Sequence, residues 1–309
     1  MIKRVGVIGL GNMGKGVAKN FAKSRWPLVV WDLDPEKRRP FAAMENVEIA
    51  RPADMAKICS AIVFLVPATP EIRACTDGKD GIFNNARAGL LLLDLTASDP
   101  CETQKLAREA ARRKVWYIDA GTSGGPTRAD SGELLLMVGG DRRAASRARE
   151  YMHVIAKHIY YLGASGAGHT LKLIHNNLCF TTFLATCEAC RQAEHSGFAI
   201  GDAIEIFNKS NARSYASEER FPRHILNKKW DGRSSIYLLY KDLKLGVDLC
   251  KRLGADSNLA TATLAFIQRS MVGGMSDDDY TLLYRNYEKI RKMSMTGRGL
   301  SKKRAWKDS

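Results

Sequence analysis

Lys172, His175 and Asn176 stand at positions i, i+3 and i+4 of one segment, so in a helix they share a face. Such a trio suits acid–base chemistry. The amine can take or return a proton while the imidazole and amide hold a polar substrate beside it. The segment opens with Gly163, Gly166 and Gly168 and then runs to His195 without glycine or proline. Lys172 therefore falls in the first turns of a helix. There the positive dipole end, together with desolvation in a cleft, favours the neutral amine that a base needs near pH 7.

Two further clusters bind anions. In Asp119-Ala-Gly-Thr-Ser123-Gly124-Gly125-Pro126 the Ser123 hydroxyl is followed by two glycines, whose amides no side chain covers. That combination can hold a carboxylate. Gly9-Leu10-Gly11-Asn12-Met13-Gly14 follows a strand-like run and opens a helix-like one. In that context Gly9 allows the tight turn, Gly11 lets the backbone approach a pyrophosphate and Gly14 lets helix and strand pack closely. The pyrophosphate rests on the amides of a helix N-terminus. Asp32 lies 18 residues past Gly14. A carboxylate there accepts from ribose hydroxyls and repels a 2′-phosphate, so NAD is expected rather than NADP. Arg38 and Arg39 lie beyond the Asp34-Pro35 turn and could still tolerate the phosphate. Val66 and Pro67, closing the apolar run from Ile62, are counted with the cofactor-binding residues.

The elements that position these groups differ between the two halves. Runs at Val5 to Ile8, Leu28 to Trp31, Ile62 to Val66, Leu90 to Asp94 and Val115 to Asp119 alternate with amphipathic stretches such as Glu102 to Lys114. This pattern implies an α/β, Rossmann-type doubly wound parallel sheet. Leu134 to Val138 and Ile159 to Leu162 read as closing strands. The segment Gly168 to His195 would span about 42 Å as a helix, with Leu171, Ile174 and Leu178 marking its apolar face. Helices are expected at Asp202 to Ser210, Ile236 to Leu253, Asn258 to Met271 and Tyr280 to Lys292, giving an all-α second domain. The expected division is 1–163 for cofactor binding, 164–295 for a helical substrate and oligomerisation domain, and 296–309 for a basic tail.

Bulk properties narrow the function classes. Apolar residues at 45 % and charged residues at 26 % exclude a disordered or fibrous chain. No run approaches the roughly 18 apolar residues of a membrane helix, so no membrane association is expected. Seven scattered cysteines suit a reducing, cytoplasmic location. Cys187 and Cys190 form a single CxxC within a helical pattern and read as packing residues, so no metal is expected. Much of the net charge of +15 sits in the tail from Arg291 to Ser309, which holds Arg291, Lys292, Arg298, Lys302, Lys303, Arg304 and Lys307. A solvated terminus accounts for this better than nucleic-acid binding, since aromatic residues are scarce there. A basic surface also steers anionic substrates.

Taken together, the motifs resemble those of the β-hydroxyacid dehydrogenase family, in the family's order, from Val5 to about Met271. GLGNMG is similar to its cofactor signature, DAGTSGG to its substrate signature and GASGAGHTLKLIHNN to its catalytic signature. A fourth, Lys241-Asp242-Leu243-Lys244-Leu245-Gly246-Val247-Asp248, resembles a signature whose first lysine lies beside cofactor and substrate, which implies that place for Lys241. The resemblance implies that Lys172 takes the hydroxyl proton as hydride leaves the substrate carbon. It also implies that Asn176 holds the substrate, that Ser123, Gly124 and Gly125 bind its carboxylate, and that Thr96 lies near the nicotinamide. Asp248 reads as structural, in a salt bridge. His175 stands where the 3-hydroxyisobutyrate branch has Asn, and with GTSGG it resembles the 6-phosphogluconate dehydrogenases. Those enzymes carry an Asn where this chain has Ala97.

The expected activity is NAD-dependent interconversion of a small hydroxycarboxylic acid and its carbonyl form, as a dehydrogenase or semialdehyde reductase. The alternatives are a short decarboxylating enzyme of the 6-phosphogluconate type and a non-catalytic dehydrogenase-like module that binds nucleic acid. The expected partners are a small anionic substrate and further copies of the chain, as a homodimer or homotetramer. Arg128 and Arg213 are candidates to read a second anionic group.

Overall fold

The computed structural model describes residues 3–24 and 26–294, so the expected tail 296–309 lies outside the described residues. The chain divides into two compact units that meet in sequence at Leu173 and Ile174.

The first unit is built on an eight-stranded sheet. Its strands are β1 (Val5–Ile8), β2 (Leu28–Trp31), β3 (Val47–Ile49), β4 (Ala61–Phe64), β5 (Leu91–Asp94), β6 (Trp116–Ser123), β7 (Leu134–Gly140) and β8 (Ala156–Gly163). Their spatial order is β3-β2-β1-β4-β5-β6-β7-β8. β1 to β6 are parallel, β7 runs antiparallel to β6, and β8 is parallel to β7. Both faces are covered. Val5, Val7, Ala61, Val63, Leu91 and Leu93 pack on one side. Ile8, Ile62, Phe64 and Leu92 pack on the other. This is why the central strands read as continuous apolar runs rather than alternating ones.

Three differences from the sequence reading have physical causes. β6 continues four residues past Asp119. It loses its parallel partner at Asp94, but β7 pairs with it antiparallel as far as Ser123. β3 has only three residues at the sheet edge, too few to show a period. The helix expected over Tyr280 to Lys292 is two short ones, Leu282–Arg285 and Tyr287–Arg291. Between them Asn286, at φ −98° and ψ 12°, ends the first helix and starts the second, and its side chain donates to the Leu282 carbonyl at 3.1 Å.

The second unit is helical. Its longest element, Ala167–His195, begins in the first unit. The helices Ile200–Lys209, Ile236–Leu253 and Asn258–Val272 follow, with a π-helix at Ala216–Ile225. The buried stripe of the long helix runs through Phe180, Phe183, Leu184, Cys187 and Cys190. Leu171, Ile174 and Leu178, the apolar face expected from spacing, are exposed. The helix is apolar on more than one side, and packing selected the other side. Burial pushes the Cys190 thiol up to about 12 and the Cys187 thiol well above its ordinary value, as for packing cysteines. No helix among the described residues is long and apolar enough to cross a membrane.

Candidate functional site

In the first unit, strand order reverses between β1 and β4, which start the two halves of the sheet. The crevice outside the carboxyl ends of such strands is where dinucleotides bind. The three glycines of the β1 turn have three separate reasons to lack a side chain. A Cβ on Gly9, at φ +93°, would sit 2.4 Å from the Leu65 carbonyl oxygen, and one on Gly14 would overlap the Gly9 carbonyl. A Cβ on Gly11 would meet nothing within 4 Å. Gly9 and Gly14 are thus required by the fold, while Gly11 keeps backbone open toward a ligand, as a pyrophosphate cradle demands. The helix after the turn, Gly14–Ala22, has Met13 at its N-cap with no side-chain cap. Its first amides are left for an anion. These features fit a dinucleotide.

Asp32 follows β2 and turns back into the loop. Its Oδ2 accepts from Leu10 N at 2.7 Å, its Oδ1 accepts from Asp34 N at 3.0 Å, and Lys37 Nζ lies 3.8 Å from Oδ1. The carboxylate thus holds the glycine loop. Val66 and Pro67 lie just past β4, and Thr96 just past β5, where its amide donates to Asp94 Oδ1 at 2.9 Å.

The loop that follows β6 is shaped by glycine too. Ser123 is the last residue of β6, and Gly124 and Gly125 follow at φ +123° and +64°. A Cβ on Gly124 would strike the Arg128 side chain, which therefore lies along this turn. Further back in β6, a Cβ on Gly121 would fall 2.4 Å from Lys172 Cβ and 2.9 Å from the Gly168 carbonyl oxygen. The strand and the first turns of the long helix touch at Gly121, and only a residue without a side chain lets them. The DAGTSGG motif contains this glycine, but its partner could not be read from spacing.

Beneath Lys172 lies a buried polar network that sequence reasoning missed. Asp119 Oδ1 accepts from Gly166 N at 2.8 Å and Oδ2 from His169 N at 3.1 Å. A buried carboxylate therefore caps the long helix and answers the positive end that the sequence reading assigned to Lys172. The His169 ring is buried. Its Nε2 donates to the Asp94 carbonyl oxygen at 3.2 Å, and its Nδ1 shares a hydrogen bond with Thr103 Oγ1 at 2.8 Å. Asp94 Oδ2 accepts from the Tyr117 hydroxyl at 2.6 Å. Burial raises the Asp94 carboxyl above the ordinary carboxylate range, against the pull of His169 and the hydrogen bonds from Tyr117 and Thr96. Burial and Asp94 also push the Tyr117 phenol well up.

In the second unit the long helix carries His175 and Asn176. Asn176 is 2 % exposed, and its Nδ2 donates to Asp242 Oδ2 at 2.9 Å. Lys241 Nζ lies 2.7 Å from Asp242 Oδ1, and His175 Nδ1 is 3.2 Å from Asn176 Oδ1. Asp242 thus holds both Asn176 and Lys241. It stands inside the fourth motif, yet nothing in the spacing singled it out. The helix Ile236–Leu253 can carry both groups this close because Gly246 faces Asn177, whose Oδ1 would lie 2.1 Å from a Cβ there. Asp248 pairs with Lys244 one turn away. Among the described residues no group of three or more His, Cys, Asp or Glu could hold a metal ion.

Comparison with known proteins agrees with these motifs. Residues 4–163 match the model described as the NAD binding domain of 6-phosphogluconate dehydrogenase. Residues 166–287 match the one described as NAD-binding of NADP-dependent 3-hydroxyisobutyrate dehydrogenase. The chain is 30 % identical, over 91 % of its length and 90 % of the relative's, to a probable mitochondrial 3-hydroxyisobutyrate dehydrogenase of Dictyostelium discoideum. It is 26 % identical to 2-(hydroxymethyl)glutarate dehydrogenase of Eubacterium barkeri, over 95 % and 98 % of the two chains. The crystal structure of 3-hydroxyisobutyrate dehydrogenase from Salmonella typhimurium shares the fold. Its TM-score is 0.84 at 24 % identity, covering 92 % of this chain and 99 % of that one.

Proposed function

The chain belongs to the β-hydroxyacid dehydrogenase family, and on that premise we propose that it interconverts a small hydroxycarboxylic acid and its carbonyl form, with NAD as partner and Lys172 as the acid/base. One observation carries the reading: Lys172 is seated against Gly121, on the strand that ends in the Ser123-Gly124-Gly125 turn, four residues before Asn176 on one helix.

The cofactor turn at Gly9, Leu10, Gly11, Asn12, Met13 and Gly14, with Asp32, Val66, Pro67 and Thr96, would hold the dinucleotide. Bound there, the dinucleotide would supply the hydride acceptor for the carbinol carbon. The chain's own residues do the rest. Ser123 and the amides of Gly124 and Gly125 hold the substrate carboxylate, with Arg128 alongside. Asn176, fixed by Asp242, orients the hydroxyl toward Lys172. Lys172 Nζ, as the free amine, accepts the hydroxyl proton as the carbonyl forms, and returns it in the reverse direction. Lys241 is held by Asp242 for contact with cofactor or substrate, and His175 steadies the Asn176 amide.

NAD over NADP rests on the Asp32 carboxylate, although Lys37 beside it lessens the repulsion of a 2′-phosphate. The proposed domain division is 1–163 and 164–295. Assembly into a homodimer or homotetramer is proposed on the exposed Leu171, Ile174 and Leu178. A cytoplasmic location is proposed on seven free cysteines. Sedimentation and cell fractionation test these two points. The activity is tested by NADH formation with 3-hydroxyisobutyrate, a monocarboxylic acid, and 2-(hydroxymethyl)glutarate, a dicarboxylic one. Release of carbon dioxide from 6-phosphogluconate with no turnover of either acid would overturn the reading.

A further inference from the structure

Arg220 lies in the π-helix Ala216–Ile225, a form of helix that recurs at functional sites. Its guanidinium is enclosed by apolar and weakly polar groups. The carbon Cζ stands 5.2 Å from the Phe183 ring centre, 5.1 Å from Tyr280 and 5.7 Å from Tyr215. Nη2 donates to Cys179 Sγ at 3.1 Å. Nη1 is buried and has no hydrogen-bond partner among the described residues. The two carboxylates nearest in sequence are engaged elsewhere: Glu218 pairs with Arg213 and Glu219 with Arg223. Among the described residues, no carboxylate reaches Arg220 within ion-pair distance.

A guanidinium removed from water in this way is costly unless an anion answers it. Three aromatic faces stabilise the cation but satisfy none of its N–H groups. Arginine's rigid fork of donors matches a carboxylate. The position of Cys179 says which carboxylate. It stands three residues beyond Asn176, on the same face of the long helix and about 4.5 Å further along its axis. Lys172, Asn176 and Cys179 thus form one stripe, at i, i+4 and i+7, and Arg220 sits at its far end.

We propose that Arg220 is the residue that selects the substrate: it receives a second carboxylate of the hydroxy acid, beyond Asn176 along the long helix. This assignment rests on the hydroxy-acid reading of the Lys172 site. The substrate class is then a short dicarboxylic hydroxy acid. Its hydroxyl lies at Lys172 and Asn176, and its second carboxylate at Arg220. Tyr215, which is exposed, covers the guanidinium and would move to admit the ligand.

The test uses the full-length protein and the two acids named above. Wild type is expected to show kcat/KM at least about tenfold higher for the dicarboxylic acid, the scale of one charged hydrogen-bonded contact. Arg220→Lys and Arg220→Met should reduce kcat/KM for the dicarboxylic acid about ten- to a hundredfold more than for the monocarboxylic one, mainly through KM. A second readout needs no chemistry. Glutarate, with both carboxylates and no hydroxyl, should raise the unfolding temperature of wild type but not of Arg220→Met, and butyrate should do neither. Equal kcat/KM for the two acids in wild type, or a glutarate shift that survives in Arg220→Met, overturns the assignment and leaves the dehydrogenase reading standing. NADH from neither acid, carbon dioxide from 6-phosphogluconate and an Arg220-dependent glutarate shift together support the anion site and overturn the hydroxy-acid reading. If Arg220→Met fails to fold, the wild-type substrate preference and the contrast between glutarate and butyrate decide the matter.

Discussion

At the scale of single residues, one lysine and one glycine do complementary work. Lys172 is the proposed proton carrier, and Gly121 lets the helix bearing it sit against the strand that leads to the Ser123-Gly124-Gly125 turn. Lys172→Ala should leave NAD binding intact, measured by fluorescence titration, and reduce turnover by at least about a hundredfold. Near-normal turnover would exclude Lys172 from the chemistry. Gly121→Ala adds a methyl where the nearest atom is Lys172 Cβ. It should cost about 1–3 kcal/mol in denaturant unfolding through overpacking. Its loss of turnover should exceed that of Gly11→Ala, whose new methyl meets only open space in the free protein. Asp32 is legible as a cofactor residue, but its bond to Leu10 N is not. Asp32→Ala should therefore raise KM for NAD and also narrow the preference over NADP. A wild-type enzyme with higher kcat/KM for NADP would refute the part given to Asp32.

At the scale of elements, the long helix Ala167–His195 depends on an acid from a strand rather than on a cap of its own. Asp119 is buried in β6 and accepts from Gly166 N and His169 N. Asp119→Ala leaves two buried amides without an acceptor and should cost about 1–3 kcal/mol. Because these amides precede Lys172, hydrogen exchange over residues 166–172 should accelerate more than in the rest of the helix. Unchanged protection there would show that the cap carries no weight. The glycine spacing of GASGAGH announced the start of a helix. It could not announce that the capping acid would come from 47 residues upstream, a contact that exists only once β6 is in the sheet.

At the scale of the whole molecule, the sheet buries a carboxyl that would otherwise be solvated. Asp94, at the end of β5, is held above its ordinary value of 3.8 by burial. In the window above 3.8 the folded protein binds the Asp94 proton more tightly than the unfolded chain does. The group therefore contributes stability that is fully present below pH 3.8 and is lost as pH rises through the raised folded value. Asp94→Asn removes this linkage. The difference in unfolding free energy, variant minus wild type, should rise from about pH 4 upward and then level off once Asp94 is ionised in both states. A flat difference across pH 4 to 8 would mean that Asp94 does not hold its proton in the folded protein.

The sequence by itself determined the elements whose signals are local. The bounds of β1 and β2 follow from short apolar runs ending in turns, and the cofactor loop follows from three glycines at fixed spacing. The extent of the long helix follows from the absence of breakers after Gly168. The stripe of Lys172, Asn176 and Cys179 is simple helical arithmetic. Tertiary structure decided whatever depends on a partner remote in the chain. It buried Phe180, Phe183 and Cys187 rather than Leu171, Ile174 and Leu178, a choice that periodicity cannot make for a helix apolar on both sides. It extended β6 to Ser123 by pairing it with β7, and it put Asp242 behind Asn176. Among the described residues it also left Arg220 beside three rings with no carboxylate in ion-pair reach. Spacing along a chain fixes which residues share a face, but only packing fixes what that face meets, because burial and ion pairing are properties of neighbours brought together by the fold.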